Sequence, residues 1–513
     1  MAAAIMSTED IGHWLREIAP GAQLTLDSRR VRVGDVFLAC LGDAGDGRDY
    51  IGQAIESGAL AVLFDDAGDF QWDERLGVPH LAVHNLAHIV GRISHDWYGQ
   101  PDHDMFCVAV TGTNGKTSCT QWLGQALSLQ RRPTTVIGTL GIGQWRNGES
   151  GSFSPTGFTT PDAVQLHREL AEQKKQGATA IAIEASSIGL VQRRMHELHV
   201  DVAVFTNFSR DHLDFHGTMA AYEAAKTKLF DWPGLRHAVI NLDDAMGQRL
   251  IGYLRKQHPQ IAITGYSIEP NALPDVPEGV TRFTAADIRA SQQGTTFTLA
   301  SPFGSGAVRT QLIGHFNVSN VLAIAGVLCS QGMAWQSVVS ALESLTAVPG
   351  RMQQLGGGDA PLAVIDYAHT PDALEKALQT LRPVAQARQG ELWCVFGCGG
   401  DRDAGKRAPM GAAASLADHM IVTSDNPRGE EPAAIIAQIV AGAPDAAAKL
   451  QVIEDRASAI LHGIRHAGKQ DVVLIAGKGH EDYQEVNGRR LAFRDADHAA
   501  LALATRATRN GGH

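Results

Sequence analysis

The chain repeats one pattern along most of its length. Short, continuous apolar runs end in glycine-rich or polar loops, and helix-favouring stretches follow them. The runs lie at 36–40 and 60–64, then at 106–110, 179–183, 200–205, 237–241 and 261–265, and finally at 362–365, 392–396, 419–423 and 471–476. An apolar run of strand length with no polar alternation marks a strand buried on both faces. Such strands alternating with helices predict parallel sheets covered on both sides, an α/β fold. The loops at the carboxyl ends of these strands are then where ligands should bind.

The runs fall into three blocks. A small α/β domain is expected over residues 1–104, with aspartate- and glycine-rich turns such as Gly42-Asp-Ala-Gly-Asp-Gly-Arg48. A central parallel-sheet domain is expected over 105–349, and a Rossmann-like α/β domain over 350–513. At 513 residues the chain is too long for one core, so three domains suit its length. No solenoid-length repeat or low-complexity tract interrupts it.

The most informative loop follows the run at 106–110. Thr111-Gly-Thr-Asn-Gly-Lys-Thr117 opens a helix predicted from about 118 to 129. Gly112 and Gly115 let backbone N–H groups of Thr113 and Asn114 approach phosphate oxygens. Lys116 can reach the outer phosphates, and the Thr117 hydroxyl can hold Mg²⁺. The loop is a variant, because Val110 stands where the commoner phosphate-loop signature has its first glycine.

Composition narrows the partners. With 44 Lys+Arg against 55 Asp+Glu the net charge is −11, the opposite of a nucleic-acid binder's basic footprint. The six cysteines, at 40, 107, 119, 329, 394 and 398, lack zinc or redox spacing and read as buried thiols of a reducing compartment. The N-terminal residues have no basic region followed by a long apolar stretch, and the longest apolar segment, 321–329, is too short to cross a bilayer. The expectation is a cytoplasmic protein with no membrane contact.

The loops in sequence carry a resemblance. Asp27-Ser-Arg29, the phosphate loop, Thr159-Thr-Pro-Asp162, Glu184-Ala-Ser-Ser187 and Thr206-Asn-Phe-Ser-Arg-Asp-His-Leu-Asp214 lie in the first half. Gly314-His-Phe-Asn-Val-Ser-Asn320, Pro349-Gly-Arg351, Asp366-Tyr-Ala-His-Thr-Pro371, Gly397-Cys-Gly-Gly-Asp-Arg402, Asp425-Asn-Pro-Arg428 and Gly477-Lys-Gly-His-Glu481 follow. In this order they resemble the Mur ligases of peptidoglycan synthesis over nearly the whole chain. More narrowly they resemble the branch that adds meso-diaminopimelate to UDP-N-acetylmuramoyl-L-alanyl-D-glutamate.

The resemblance implies an ATP-dependent amide ligase working through an acyl phosphate, with a central domain of the P-loop ATPase type. It implies roles for Lys116, Glu184, His212 and Lys226 in catalysis, with two Mg²⁺ ions held by Thr117, Glu184, His212 and a carbamylated Lys226. Read from its helix-favouring surroundings alone, Lys226 is a solvated lysine, and Lys228 is its rival for the modification. The resemblance further implies ATP contacts from Asn317, Arg351, Asp366 and His369. It places the UDP-linked substrate on Leu26, Ser28, Thr159, Thr160, Ser186, Gln192 and Arg194. It places meso-diaminopimelate on Arg402, Asp425, Asn426, Pro427, Arg428, Gly477 and Glu481. Arg428 is the cation suited to the distal carboxylate that lysine lacks. Asp43-Ala44 and Ile188 depart from the family pattern near the sugar nucleotide. A monomer is expected.

Two other readings stay open. A folylpolyglutamate synthase, or a Mur ligase adding another residue, would share the ATP loops but lack the Asp425-Asn-Pro-Arg428 and Gly477-Lys-Gly-His-Glu481 pair. A nucleotide-gated switch would need an N-K-x-D motif, which the central block does not contain.

Overall fold

A computed structural model describes residues 6–42, 45–269, 278–291 and 294–510. Asp43 and Ala44 lie outside the described residues. The chain forms two compact units, one of Met1–Thr111, Leu127–Ala203 and Ala225–Arg236, the other of Gly112–Ala126, Val204–Ala224 and His237–His513.

The first unit begins with a four-stranded parallel sheet, Leu24–Thr25, Val36–Ala39, Ala61–Asp65 and His80–Val83, paired in chain order. Alternate side chains face opposite ways, so each face needs its own cover. Val36, Leu38, Ala61 and Leu63 pack with Ile11 and Leu15 of helix Thr8–Ile18 and with Leu86, Val90 and Ile93 of helix Leu86–Trp97. Phe37, Ala39, Val62 and Phe64 pack with Ile51 and Ala54 on the other side.

The same unit holds the strands that carry the candidate site. Ala180–Glu184 lies between Phe106–Thr111 and Thr134–Gly138, parallel to both, with Glu184 opposite Val110. Thr134–Gly138 then pairs antiparallel with Gly141–Arg146, which pairs with Glu149–Ser150 across the Asn147-Gly148 turn. Asn147 and Gly148 both have positive φ, as a tight hairpin turn of this kind requires.

In the second unit His237–Asn241, Ala262–Ser267 and Thr281–Ser291 are parallel, and Gly294–Ser301 and Gly304–Thr310 extend them antiparallel. The expected parallel strands are thus observed in each unit, and each unit adds antiparallel strands beside them. The outer strands Gly294–Ser301 and Gly304–Thr310 interrupt their apolar residues with threonine, serine and glycine, so they form no continuous apolar run. The last sheet runs Gln353–Gly356, Leu362–Asp366, Val472–Ala476, Leu392–Phe396, His419–Val422 and Leu450–Val452, parallel except for its first strand. Leu362, Val364, Leu392, Cys394 and Phe396 fill one core, and Ala363, Ile365, Trp393 and Val395 fill the other.

Each apolar run named above is observed as a strand, to within one or two residues at each end. All six cysteines are free, and five of them are buried. No helix among the described residues is long and apolar enough to cross a membrane.

Candidate active site

The phosphate loop turns where its glycines require it. Gly112 and Gly115 have φ of +146° and +87°, open to glycine at little cost. A Cβ on Gly115 would sit 2.7 Å from Asn320 Oδ1, so helix His315–Ser330 closes on the loop through Asn320. Thr206 Oγ1 and Asn207 Nδ2 donate to Asn114 O at 2.6 and 3.0 Å, and Asn207 Oδ1 accepts from Asn114 N at 2.9 Å. Thr113 N donates to Asn207 O at 2.8 Å. Helix Lys116–Leu129 starts at the lysine, two residues before the sequence-based expectation, and Lys116 Nζ donates to Gly112 O and Thr113 O at 2.9 and 2.8 Å. The ammonium is thereby held at the loop's mouth.

Arg351 reaches this loop from 234 residues away, where its Nη2 donates to Thr117 Oγ1 at 3.0 Å. Its guanidinium lies over the Tyr367 ring, 4.5 Å from the centroid. Asp366 ends strand Leu362–Asp366 and accepts from Met352 N at 2.8 Å. Burial pushes its carboxyl above the usual range against the opposing pull of Arg351. His369 Nδ1 lies 2.8 Å from Tyr367 O, an atom that can only accept, so Nδ1 carries the proton and Nε2 the lone pair. Burial, helped by Lys406, lowers His369 to about 4.

Asp211 was not singled out in the sequence. Burial would raise its carboxyl, but His212, His369 and Lys116 together hold it below the ordinary value. His212 has a φ of +52°, lies 3.5 Å from Asp211 and keeps 44% of its side-chain surface exposed. Asn317 is buried and donates to Ile313 O at 2.8 Å, one turn back on its own helix.

Glu184 ends its strand inside the first unit and is 1% exposed. Thr139 N donates to its Oε1 at 2.8 Å and Thr139 Oγ1 to its Oε2 at 3.2 Å. A Cβ on Gly138 would collide with this carboxylate, so the glycine keeps its place open. Lys226 is also 1% exposed, while Lys228 is exposed. Burial corrects the solvated reading of Lys226, since an ammonium this deep carries a large desolvation cost.

Around Glu184 lie most of the residues expected to meet the UDP-linked substrate. Thr160 Oγ1 lies 2.7 Å from Glu184 O and 2.8 Å from Ser186 Oγ, and Thr159 Oγ1 lies 3.3 Å from Thr139 Oγ1. Arg194 donates to Thr160 O at 2.9 Å and to Gln192 Oε1 at 2.6 and 3.0 Å, and covers the Phe158 ring at 4.2 Å. Ser28, in the N-terminal sheet's first loop, donates to Gln53 Oε1 at 2.9 Å. Leu26 is half-buried there, packed against the core of that sheet. Ile188 is half-buried in the short helix Ser187–Val191 that Ser186 caps.

In the second unit Asp425, Asn426, Gly477 and Glu481 converge. Asn426 Nδ2 donates to Glu481 Oε2 at 2.8 Å, and Lys478 Nζ donates to Asn426 Oδ1 at 3.0 Å and to Glu481 Oε2 at 2.9 Å. A Cβ on Gly477 would stand 2.5 Å from Asp425 Oδ2. The buried Arg456 donates to Asp495 at 2.7 and 2.8 Å and to Ala476 O at 3.0 Å, fixing the chain just before Gly477. Arg428 takes a φ of +53° after Pro427, so the motif is a turn as well as a cation. Its Nη1 donates to Gly400 O at 2.8 Å, and Glu485 lies 3.7 Å from its Nε. A Cβ on Gly399 would come within 2.9 Å of that guanidinium. Arg402 stands exposed on the loop after Leu392–Phe396.

Sequence reasoning missed Asn320, Asp211, Thr139, Lys478 and Arg456. Asn320, Asp211 and Lys478 sat inside quoted motifs and could have been weighed there; Thr139 and Arg456 carried no local signal.

Three family models match consecutive segments. They are the Mur ligase family catalytic domain over 22–98, the Mur ligase middle domain over 110–328 and the Mur ligase glutamate ligase domain over 350–479. The chain is 61% identical to the UDP-N-acetylmuramoyl-L-alanyl-D-glutamate–2,6-diaminopimelate ligase of Janthinobacterium sp. (strain Marseille), over 96% of each chain. It is 48% identical to the protein of that name from Pseudomonas aeruginosa, over 94% of this chain and 95% of the other. A solved structure of a ligase with the same name is 38% identical, with a TM-score of 0.64, covering 96% of this chain and 99% of its own. MurF ligase from Thermotoga maritima, solved with ADP, shares the fold at 19% identity and a TM-score of 0.63, covering 95% and 98%. With its loops, its fold and three consecutive segments in agreement, the chain belongs to the Mur ligase family.

Proposed function

We propose that this chain is an ATP-dependent ligase that joins meso-diaminopimelate to UDP-N-acetylmuramoyl-L-alanyl-D-glutamate in cytoplasmic peptidoglycan precursor synthesis. The observation that carries this reading is the arrangement of Asp425, Asn426, Arg428, Gly477 and Glu481. They line one loop cluster, with Arg428 turned onto Gly400 O and Asn426 joined to Glu481, in a chain 61% identical to a relative bearing that ligase's name. We read three domains, 1–104, 105–349 and 350–513; the three separately matched family segments support this reading. We read the molecule as a monomer.

Amide formation in water is uphill, so the carboxylate must first be activated. A carboxylate oxygen of the UDP-linked peptide bonds to the γ-phosphorus of ATP as the bond to the β–γ bridging oxygen breaks and ADP leaves. Lys116 and Arg351 supply positive charge to the transferring phosphoryl oxygens. The amine of meso-diaminopimelate then bonds to the acyl carbon, phosphate departs, and the nitrogen gives up a proton. With a pKa near 4, His369 is a poor acceptor for that proton, which favours solvent. Its Nε2 lone pair suits accepting a hydrogen bond from a ribose hydroxyl instead.

The oxygen donors suit Mg²⁺, which prefers hard oxygen ligands, and His212 adds a single nitrogen. Thr117 offers a hydroxyl, Glu184 a carboxylate whose place Gly138 leaves open, and His212 a partly exposed imidazole. A buried Lys226 fits carbamylation: its neutral amine adds to the carbon of CO₂ and loses a proton, giving an anionic oxygen ligand. When bound, Mg²⁺ neutralises charge on the phosphates. Arg351, Asp366, His369 and Asn317 orient the nucleotide, while Ser28, Thr159, Thr160, Ser186, Gln192 and Arg194 hold the UDP-linked peptide. Leu26 is assigned to the nucleobase side.

The test is ADP release by the purified chain. It should require both an acceptor amino acid and the UDP-linked carboxylate; release that ignores either would contradict the ligase reading.

A further inference from the structure

A second cluster of ligating side chains lies in the first unit. Helix Leu86–Trp97 carries His95, the turn after it carries Asp102, and helix Ala163–Lys175 carries His167. One donor atom from each lies within 4.8 Å of the others. His95 Nε2 is 2.8 Å from Asp102 Oδ1, and the two imidazoles meet edge to face with centroids 4.9 Å apart. Asp102 is 1% and His167 0% exposed.

His167 is the informative member. Its Nε2 lies 2.9 Å from His196 O, which can only accept, so Nε2 carries the proton and Nδ1 keeps the lone pair. Nδ1 is fully buried and has no hydrogen-bond partner. A buried acceptor left unpaired loses the hydrogen bond it would make in water, so a packed core needs a reason to keep one. The arrangement is that of a metal-ligating histidine, with one nitrogen fixed by a carbonyl and the other free to bind a cation. Asp102 is fixed in the same way, because its Oδ2 accepts from His199 N at 2.6 Å.

We propose that His95, Asp102 and His167 form a binding site for one divalent transition-metal ion of the zinc class, with a structural role. Two imidazoles and one carboxylate suit Zn²⁺ or Co²⁺ and are a poor match for Mg²⁺, which prefers oxygen ligands. Tetrahedral zinc with ligands near 2.1 Å spaces its donors by roughly 3.3 Å. His95 Nε2 and Asp102 Oδ1, 2.8 Å apart, need to open by about half an ångström, and the other donor pairs already lie within 4.8 Å, in reach of side-chain rotation. Water supplies the fourth ligand. The ion would join the last helix of the N-terminal sheet layer to helix Ala163–Lys175 at a point where Asp102 also holds His199 N.

The experiment uses the full chain, stripped with a chelator, returned to excess Mg²⁺ and titrated with Co²⁺. About one Co²⁺ per chain should bind with the intense absorption of a four-coordinate ion, and Zn²⁺ should displace it. His167→Gln and Asp102→Asn should each weaken binding by more than about 100-fold, beyond what loss of a supporting hydrogen bond costs. Zn²⁺ should raise the wild-type melting temperature. A weak six-coordinate spectrum in wild type overturns the proposal without any variant. Equal Co²⁺ affinity in wild type and a folded His167→Gln protein overturns it as well.

Discussion

Arg351 Nη2 donates to Thr117 Oγ1 at 3.0 Å, joining the phosphate loop to a residue 234 positions later in the chain. The hydroxyl expected to face Mg²⁺ and the guanidinium expected to face phosphate therefore stand side by side before any nucleotide is considered. Arg351→Ala should lower kcat/KM for ATP by roughly 10- to 150-fold, the loss of one charge-assisted contact of about 1.5–3 kcal/mol. Arg351→Lys should recover only part of this, because a point charge cannot reproduce the fork. Steady-state kinetics in ATP checks it; an unchanged value in the alanine variant would remove Arg351 from the site.

Gly138 is a second handle on the same chemistry. Its missing side chain leaves room for the Glu184 carboxylate, which Thr139 holds through two hydrogen bonds. Gly138→Ala should displace Glu184 and cut turnover by roughly 10- to 100-fold, as losses of support around a metal ligand do. The Mg²⁺ dependence should move to higher concentration. Wild-type Mg²⁺ dependence in a folded variant would contradict the role given to Glu184.

The carbamylation proposed for Lys226 can be tested directly. Lys226→Ala should lose activity that short carboxylic acids partly restore, since they can occupy the vacated anionic position. Intact mass measurement under mild conditions should show the mass of one added CO₂ on the wild type. A free amine in the active, Mg²⁺-loaded protein would contradict carbamylation.

Acid should destabilise the protein early. Burial is the main cause that lowers His167 and His369 to about 4 and His480 to about 3, against an ordinary value of 6.5. Between those values the unfolded chain binds more protons than the folded one, so stability rises with pH across that window. The contribution is complete above pH 6.5 and is lost as pH falls towards 4. Melting temperature should therefore drop between pH 7 and pH 5, and His480→Gln should flatten that slope. An equal slope in the variant would contradict the assignment for His480.

Much of this architecture was legible in the sequence because its central strands are buried on both faces. The run at 392–396 is observed as Leu392–Phe396 and that at 237–241 as His237–Asn241. Strands such as Gly294–Ser301 and Gly304–Thr310 were not legible, since one face meets solvent and their apolar residues are diluted with threonine, serine and glycine. The phosphate loop could be read from spacing alone. Lys226 could not, because nothing in Glu223-Ala-Ala-Lys226 separates a buried lysine from a solvated one. Lys478 and Arg456 act by holding other side chains, a role that exists only once the sheet has brought them together.

The central claim is the proposal that selectivity for the amino acid rests on Arg428. The measurement is kcat/KM for meso-diaminopimelate and for L-lysine, with the wild type and with Arg428→Ala. The account predicts strong wild-type preference for meso-diaminopimelate, because lysine has no distal carboxylate for the guanidinium. In Arg428→Ala, kcat/KM for meso-diaminopimelate should fall about 30- to 1000-fold, on the order of 2–4 kcal/mol, with KM for ATP barely changed. Equal use of lysine by the wild type, or an undiminished preference in a folded Arg428→Ala protein, would contradict it.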